Sequence, residues 1–145
     1  MGKVLILFAT RTGETQNIAD LIGEGVRMGG HQADVVNVKN VKSEADLAGY
    51  DGYAFGSATY HGDMLQAMKT FLFLAEKAAL KGKVGAAFGS FGWSGEANDR
   101  IYQTMKNIFQ MNMVADCLRL KSSLLGGGVQ MAQEYGRQIG QKLNA

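Results

Sequence analysis

Short continuous apolar runs alternate along the chain with longer stretches in which apolar residues recur every three or four positions. Val4 to Phe8 is such a run, the pattern of a strand buried on both faces. From Thr15 to about Met28, Ile18, Leu21, Ile22 and Val26 fall on one face at helical spacing. Gly23 and Gly25 weaken that helix by about 1 kcal/mol each relative to alanine, and Gly29-Gly30 ends it. Ala33 to Val38 reads as a second strand, and Ser43 begins a short helix that ends near Gly49. Gly52 to Ser57 is a third strand, followed by a helix from Met64 to Ala79 with Leu65, Met68, Leu72 and Ala75 along one stripe. Val84 to Phe88 is a fourth strand, and Glu96 to Phe109 is a helix with Ile101, Met105 and Ile108 inward. Met113 to Leu120 is a fifth strand, and Val129 to Leu143 is a closing helix with Ala132, Tyr135, Ile139 and Leu143 on one face.

Strands and helices therefore alternate with short connections. That order predicts an α/β fold: a doubly wound, five-stranded parallel sheet of order 2-1-3-4-5 with helices on both faces. Residues 1–145 form a single domain in this reading, since no linker, repeat or low-complexity tract interrupts the pattern. Such sheets bind ligands beyond the carboxyl ends of their strands, near the switch point. The loops after strands 1, 3 and 4 should meet there, and those three have the unusual compositions.

The first loop is Thr10-Arg11-Thr12-Gly13-Glu14-Thr15, between a buried strand and a helix. A helix N-terminus offers unpaired N–H groups and the positive end of the dipole, which together favour a phosphate. Three threonine hydroxyls add donors, and Gly13 lets the backbone curl round the anion. A single threonine would be no more than a common helix cap. The second loop, Gly56-Ser57-Ala58-Thr59-Tyr60-His61-Gly62-Asp63, holds an aromatic at its tip. The third, Gly89-Ser90-Phe91-Gly92-Trp93-Ser94-Gly95-Glu96, carries the sole tryptophan. Large aromatics on surface loops lose burial unless something covers them, and a flat ring can do so by stacking.

Rival chemistries lack their residues. A P-loop needs Gly-x4-Gly-Lys-Ser/Thr, and the dinucleotide fingerprint Gly-x-Gly-x-x-Gly does not follow strand 1. A phospho-acceptor would need acids after strands 1 and 3, where Ala9-Thr10 and Ala58-Thr59 stand. One cysteine, Cys117, excludes an internal disulfide and a cysteine-built metal site, and it reads as a buried hydrophobe. With 15 basic and 13 acidic residues the formal charge is +2, too balanced for a nucleic-acid partner. No apolar run has the roughly 18 residues of a membrane span, and the first strand runs into a Thr/Gly loop rather than a cleavage site. A cytoplasmic protein is expected. His31 is expected at the surface, and His61 beside Tyr60 could meet a ligand or partner.

On these loops the chain resembles the flavodoxin family. Thr10 to Thr15 is similar to the family's FMN-phosphate loop. The segment Gly89 to Glu96 is similar to the corresponding loop of the flavodoxin-like module of flavodiiron proteins. The resemblance runs from strand 1 to the last helix, at the length of the short-chain members. It implies an FMN cofactor, with Thr10, Arg11, Thr12, Gly13, Glu14 and Thr15 at the phosphate. Ser57, Ala58, Thr59, Tyr60 and His61 would line ribityl and ring, with Tyr60 stacked on one face. Gly62 would supply a backbone carbonyl that flips beside flavin N5. Ser90, Phe91, Gly92, Trp93 and Gly95 would hold the other side and the pyrimidine edge.

The implied function is that of a monomeric electron carrier shuttling single electrons between redox partner proteins, a reductase and an acceptor. It has no catalytic residues or metal of its own. The alternative is an NAD(P)H-dependent FMN or quinone reductase on the same fold, which would need a second pocket. The chain departs from the family in charge. Flavodoxins are usually strongly acidic, whereas this sequence has a pI near 8.7. Glu14, Asp63, Glu96 and Asp99 near the loops are opposed by Arg11 and Arg100. A less negative potential for the second electron is expected than in an acidic flavodoxin.

Overall fold

The computed structural model describes residues 2–11, 13–60, 63–90, 96–120 and 127–144. Its main sheet contains β1 (Lys3–Ala9), β2 (Gln32–Asn37), β3 (Gly52–Ser57) and β6 (Val84–Ser90), with β7 (Asn112–Met113) and β8 (Leu118–Leu120) side by side along β6. All these pairs are parallel, and the order is β2-β1-β3-β6 followed by the β7/β8 edge. That is the doubly wound order the sequence predicts, with its fifth strand split in two. A two-residue pair, β4 (Thr59–Tyr60) with β5 (Asp63–Met64), forms a separate antiparallel hairpin after β3.

Helices cover both faces. On one, α1 (Glu14–Met28) and α4 (Gly128–Asn144) bury Ile18, Ile22, Val26, Ala132, Tyr135 and Ile139 against Val4, Ile6, Ala54 and Phe88. On the other, α2 (Gln66–Ala75) and α3 (Glu96–Gln103) bury Met68, Phe71, Leu72 and Ile101 against Leu5, Leu7, Tyr53 and Phe55. Successive strand residues thus feed opposite cores, which is why the strands read as unbroken apolar runs. Each fully buried Leu, Ile or Phe contributes about 1.5–3 kcal/mol.

Five local expectations are corrected. The fifth strand is not continuous from Met113 to Leu120. Gly85 pairs with Met113 and Phe88 with Leu118, so the edge carries two residues more than β6 between those pairs. Ala115, at φ 41°, turns the backbone out of the sheet there. Tyr135 secures this bulge: its hydroxyl accepts from Ala87 N–H (3.3 Å) and lies 3.1 Å from the Asp116 carbonyl it can donate to. The third helix widens after Gln103 into a π turn over Thr104–Ile108. The wider turn leaves Ile108 60% exposed and gives the inward position to Phe109. The segment after Ser43 is a 3-10 turn (Glu44–Leu47) with a Ser43/Asp46 capping box, and α2 is shorter than its apolar stripe, spanning Gln66–Ala75.

The fifth correction is His31, which is buried rather than at the surface. Its Nδ1 accepts from Gly2 N–H at 2.7 Å, and it packs over Gly140. Only glycine leaves room for the ring at that point of α4.

The glycines of α1 cost helix propensity but let α1 and α4 touch backbone to backbone. A methyl on Gly25 would collide with the Gln133 carbonyl, and one on Gly136 with the Ile22 carbonyl. Alanine at either position should therefore destabilise the fold by about 1–3 kcal/mol through overpacking, although it gains about 1 kcal/mol of helix propensity. Urea unfolding checks this, and a more stable Gly25→Ala variant would mean that the helices separate freely.

Candidate functional site

Register brings the predicted loops to one edge. Ala9 at the end of β1 lies beside Ser57 at the end of β3, and Gly56 lies beside Phe88. Ala58 N–H reaches across to the Ala9 carbonyl at 3.3 Å, joining the first loop to the second. Thr15 Oγ1 and Ser90 Oγ share a buried hydrogen bond of 2.8 Å, joining the first turn of α1 to the end of β6. The loops after strands 1, 3 and 4 are thus tied together by bonds spanning 49 and 75 residues of sequence.

The first loop is built for a backbone-lined concavity. Thr10 Oγ1 accepts from Gly13 N–H at 2.9 Å, which folds the loop onto itself. Gly13 takes φ +91°, the left-handed region that other residues avoid, and nothing lies within 4 Å of where its side chain would project. Gly13 stands at the cap position of α1 and offers no side-chain acceptor of its own. The first-turn amides have no intrahelical acceptors, and the Gly13 carbonyl already serves Asn17 N–H at 3.1 Å. Thr10 and Thr15 are therefore the loop's brace and its anchor, in addition to any contact they make with a ligand. Arg11 is exposed, and Glu14 is half-buried.

In the second loop Ser57 is fully buried, and its Oγ donates to the Ala58 carbonyl (2.9 Å) and accepts from Leu65 N–H (3.1 Å). This holds β3 to the start of α2 on either side of the hairpin. Thr59 Oγ1 is buried without a hydrogen-bond partner. The backbone of Tyr60 pairs with Asp63. Thr12, His61, Gly62, Phe91, Gly92, Trp93 and Gly95, with the side chain of Tyr60, lie outside the described residues.

Charge around the site is compensated locally. Asp63 meets Lys69 at 2.5 Å and Arg100 at 3.1 Å. The hydrogen bond from Lys69 is the main cause holding the Asp63 carboxyl below its ordinary range; partial burial opposes it, and Met64 N–H and Arg100 assist. Asp99 is paired with Arg119. The Cys117 thiol, 3.5 Å from Asp99, is buried and pushed up to about 12, chiefly by desolvation, so it is protonated and inert at neutral pH. Among the described residues no group of three or more His, Cys, Asp or Glu side chains could hold a metal ion, and no helix is long and apolar enough to cross a membrane.

Sequence reasoning missed Asn98. It is fully buried on α3, and neither its amide nitrogen nor its oxygen has a partner. The signal was present: Asn98 stands three residues before Ile101, on the inward stripe where an apolar residue belongs.

The Thr15–Ser90 bond should couple the first loop to β6. Thr15→Val leaves the Ser90 hydroxyl buried and unpaired, costing about 1–3 kcal/mol of stability. Adding Ser90→Ala removes the orphan, so the double variant should lose less than the two single losses combined. A denaturation cycle measures this, and additive losses would mean that the two hydroxyls act independently.

Comparison with known proteins bears on this geometry. The pattern of the flavodoxin family matches residues 6–134. The putative diflavin flavoprotein A 6 of Nostoc sp. is 29% identical over 143 residues, 97% of this chain and 25% of that protein. An NAD(P)H dehydrogenase (quinone) of Gluconacetobacter diazotrophicus is 32% identical over 138 residues, 79% of this chain and 69% of that protein. The chain spans about a quarter of the length of the diflavin flavoproteins it matches. A solved flavodoxin from the domain Archaea superposes over 99% of both chains with a TM-score of 0.92 at 29% identity. The solved Flv1 flavodiiron core from Synechocystis sp. has the same fold over 98% of this chain and 36% of that chain, with a TM-score of 0.89 at 26% identity. With the family pattern covering nearly the whole sheet and its helices, this chain belongs to the flavodoxin family.

Proposed function

We propose that this chain binds one FMN non-covalently at the carboxyl edge of its sheet and carries single electrons between redox partner proteins. The observation that carries the reading is the first loop. Gly13 opens α1 in the left-handed conformation with nothing within 4 Å of where a side chain would project, and the family resemblance assigns the phosphate to this turn. The described residues fit the group: the α1 amides and the Thr10–Gly13 turn suit a phosphate. The unpartnered Thr59 hydroxyl suits a polyol or ring edge on the neighbouring loop. When bound, FMN supplies reversible one-electron chemistry.

The protein's own residues bind, orient and tune. Thr10 braces the phosphate loop, and Thr15 fixes it to Ser90. Arg11 and Glu14 flank the same turn, with Thr12 among them in sequence. Ser57 holds the base of the ring loop, from which Ala58, Thr59, Tyr60, His61 and Gly62 would reach the flavin. Ser90 begins the opposite loop, whose Phe91, Gly92, Trp93 and Gly95 are assigned to the ring's other side by the family resemblance. Asp63 and Asp99, each paired with cations, contribute little net negative field there. The reading includes a single domain, a monomer, and a cytoplasmic location.

The carrier reading excludes a substrate pocket of the protein's own, whereas the likeness to a quinone dehydrogenase names the competing activity. The purified protein should show flavin absorption bands and undergo photoreduction in two separate one-electron steps. It should oxidise almost no NAD(P)H with quinone unless a reductase is added. Rapid NAD(P)H oxidation by the protein alone would replace the carrier with an enzyme.

Arg11→Ala should weaken FMN more than riboflavin, by about threefold to tenfold, the worth of one charge-assisted contact on an exposed loop. Fluorescence titration of both flavins reads this, and equal losses would remove Arg11 from the phosphate.

A further inference from the structure

Asn98 occupies a place where its chemistry is out of keeping with its surroundings. It lies on the inward stripe of α3 ahead of Ile101 and Met105, both fully buried. A leucine or valine there would continue the core. Instead a primary amide is fully buried with its nitrogen and oxygen both unpartnered. Buried polar groups without partners are uncommon, since desolvation opposes them with nothing in return.

The position of the amide is specific. A methyl on Gly89 would collide with both the Asn98 side-chain oxygen and the Ser57 carbonyl. The amide therefore lies against the Gly89 backbone and beside the last carbonyl of β3, the one that leads into Ala58 and Thr59. The amide oxygen lies 1.9 Å and the Ser57 carbonyl oxygen 2.2 Å from the point that a Gly89 Cβ would occupy. Rotating the amide by half a turn exchanges its nitrogen and oxygen without moving the backbone, and puts an N–H donor beside the carbonyl. The second buried orphan, Thr59 Oγ1, stands on β4, against which α3 also packs.

We propose that Asn98 is a positioning residue of the flavin site: its amide N–H holds the Ser57 carbonyl and thereby sets the path of the Ala58–Thr59–Tyr60 backbone against the ring. The inference rests on the FMN reading above. Gly89 is required by the same arrangement, because any side chain there would push the amide away from β3. Asn98 touches the loop rather than the phosphate end, so its effect should fall equally on FMN and riboflavin.

The test sets affinity against stability, using apoprotein prepared from the full chain. Asn98→Leu removes the buried amide, so the melting temperature of the apoprotein should stay the same or rise. Its affinity for FMN and for riboflavin should each fall by about threefold to tenfold, the worth of one hydrogen bond. Asn98→Asp keeps the shape and covers the case in which the leucine variant does not fold. A protonated acid can donate to the carbonyl and a carboxylate cannot. Its FMN affinity relative to wild type should therefore be close to one at low pH and decline as pH rises. Unchanged flavin affinity in Asn98→Leu, a loss confined to FMN, or a pH-independent ratio in Asn98→Asp would overturn the assignment. Wild-type apoprotein that takes up no flavin would instead overturn the FMN reading on which it depends.

Discussion

A parallel sheet covered on both faces must satisfy its own backbone. The buried amides and carbonyls of β1, β3 and β6 pair with neighbouring strands or, at Ala87 beside the edge bulge, with the Tyr135 hydroxyl. Hydrogen-bonding capacity is left over only where the strands stop. Because β1, β3 and β6 stop at nearly the same level, their surplus collects at one edge, together with the first-turn amides of α1. The site is thus a consequence of the sheet. Loop sequence decides what it holds, but the location follows from burying two faces at once.

The same constraint explains what could be read from the chain and what could not. Strands β1, β3 and β6 were legible because residues buried on both faces leave an apolar run, and α1, α2 and α4 because their stripes point to one core each; the short β4–β5 hairpin was not. The edge strand was not legible. With a neighbour on one side only, it can bulge at Ala115 without orphaning a central ladder, and its composition barely changes when it does. The π turn was hidden for a related reason. Ile108 and Phe109 are both apolar, and only the width of the turn decides which faces inward. His31 looked like a surface residue because its acceptor role depends on Gly2 and its space on Gly140, both remote in sequence.

For the candidate site, composition singled out the loops that register brings to one edge, but not the bonds that brace the first of them. Three threonines near a glycine read as three donors for an anion. In the fold the Thr10 hydroxyl accepts from Gly13 N–H and Thr15 is buried against Ser90, so both also build the loop. Side chains that build a concavity and side chains that line it have the same residue types. Their roles separate only when partners 3 and 75 positions away are known.

Charge supplies the last constraint. A flavin site in an acidic protein resists gaining negative charge because uncompensated carboxylates surround it. Here Asp63 is held by Lys69 and Arg100, and Asp99 by Arg119, so these two acids are largely compensated before any ligand arrives. Compensated pairs at a surface contribute little field beyond their immediate neighbours. Discrimination among the flavin's charge states then falls to short-range features: hydrogen bonds from the loops and the fixed backbone of the ring edge. A buried, unpartnered amide at Asn98 makes sense in such a site. Where the charge field is weak, the placement of individual carbonyls and hydroxyls carries more of the tuning, and a local loss of stability that fixes one of them is tolerated.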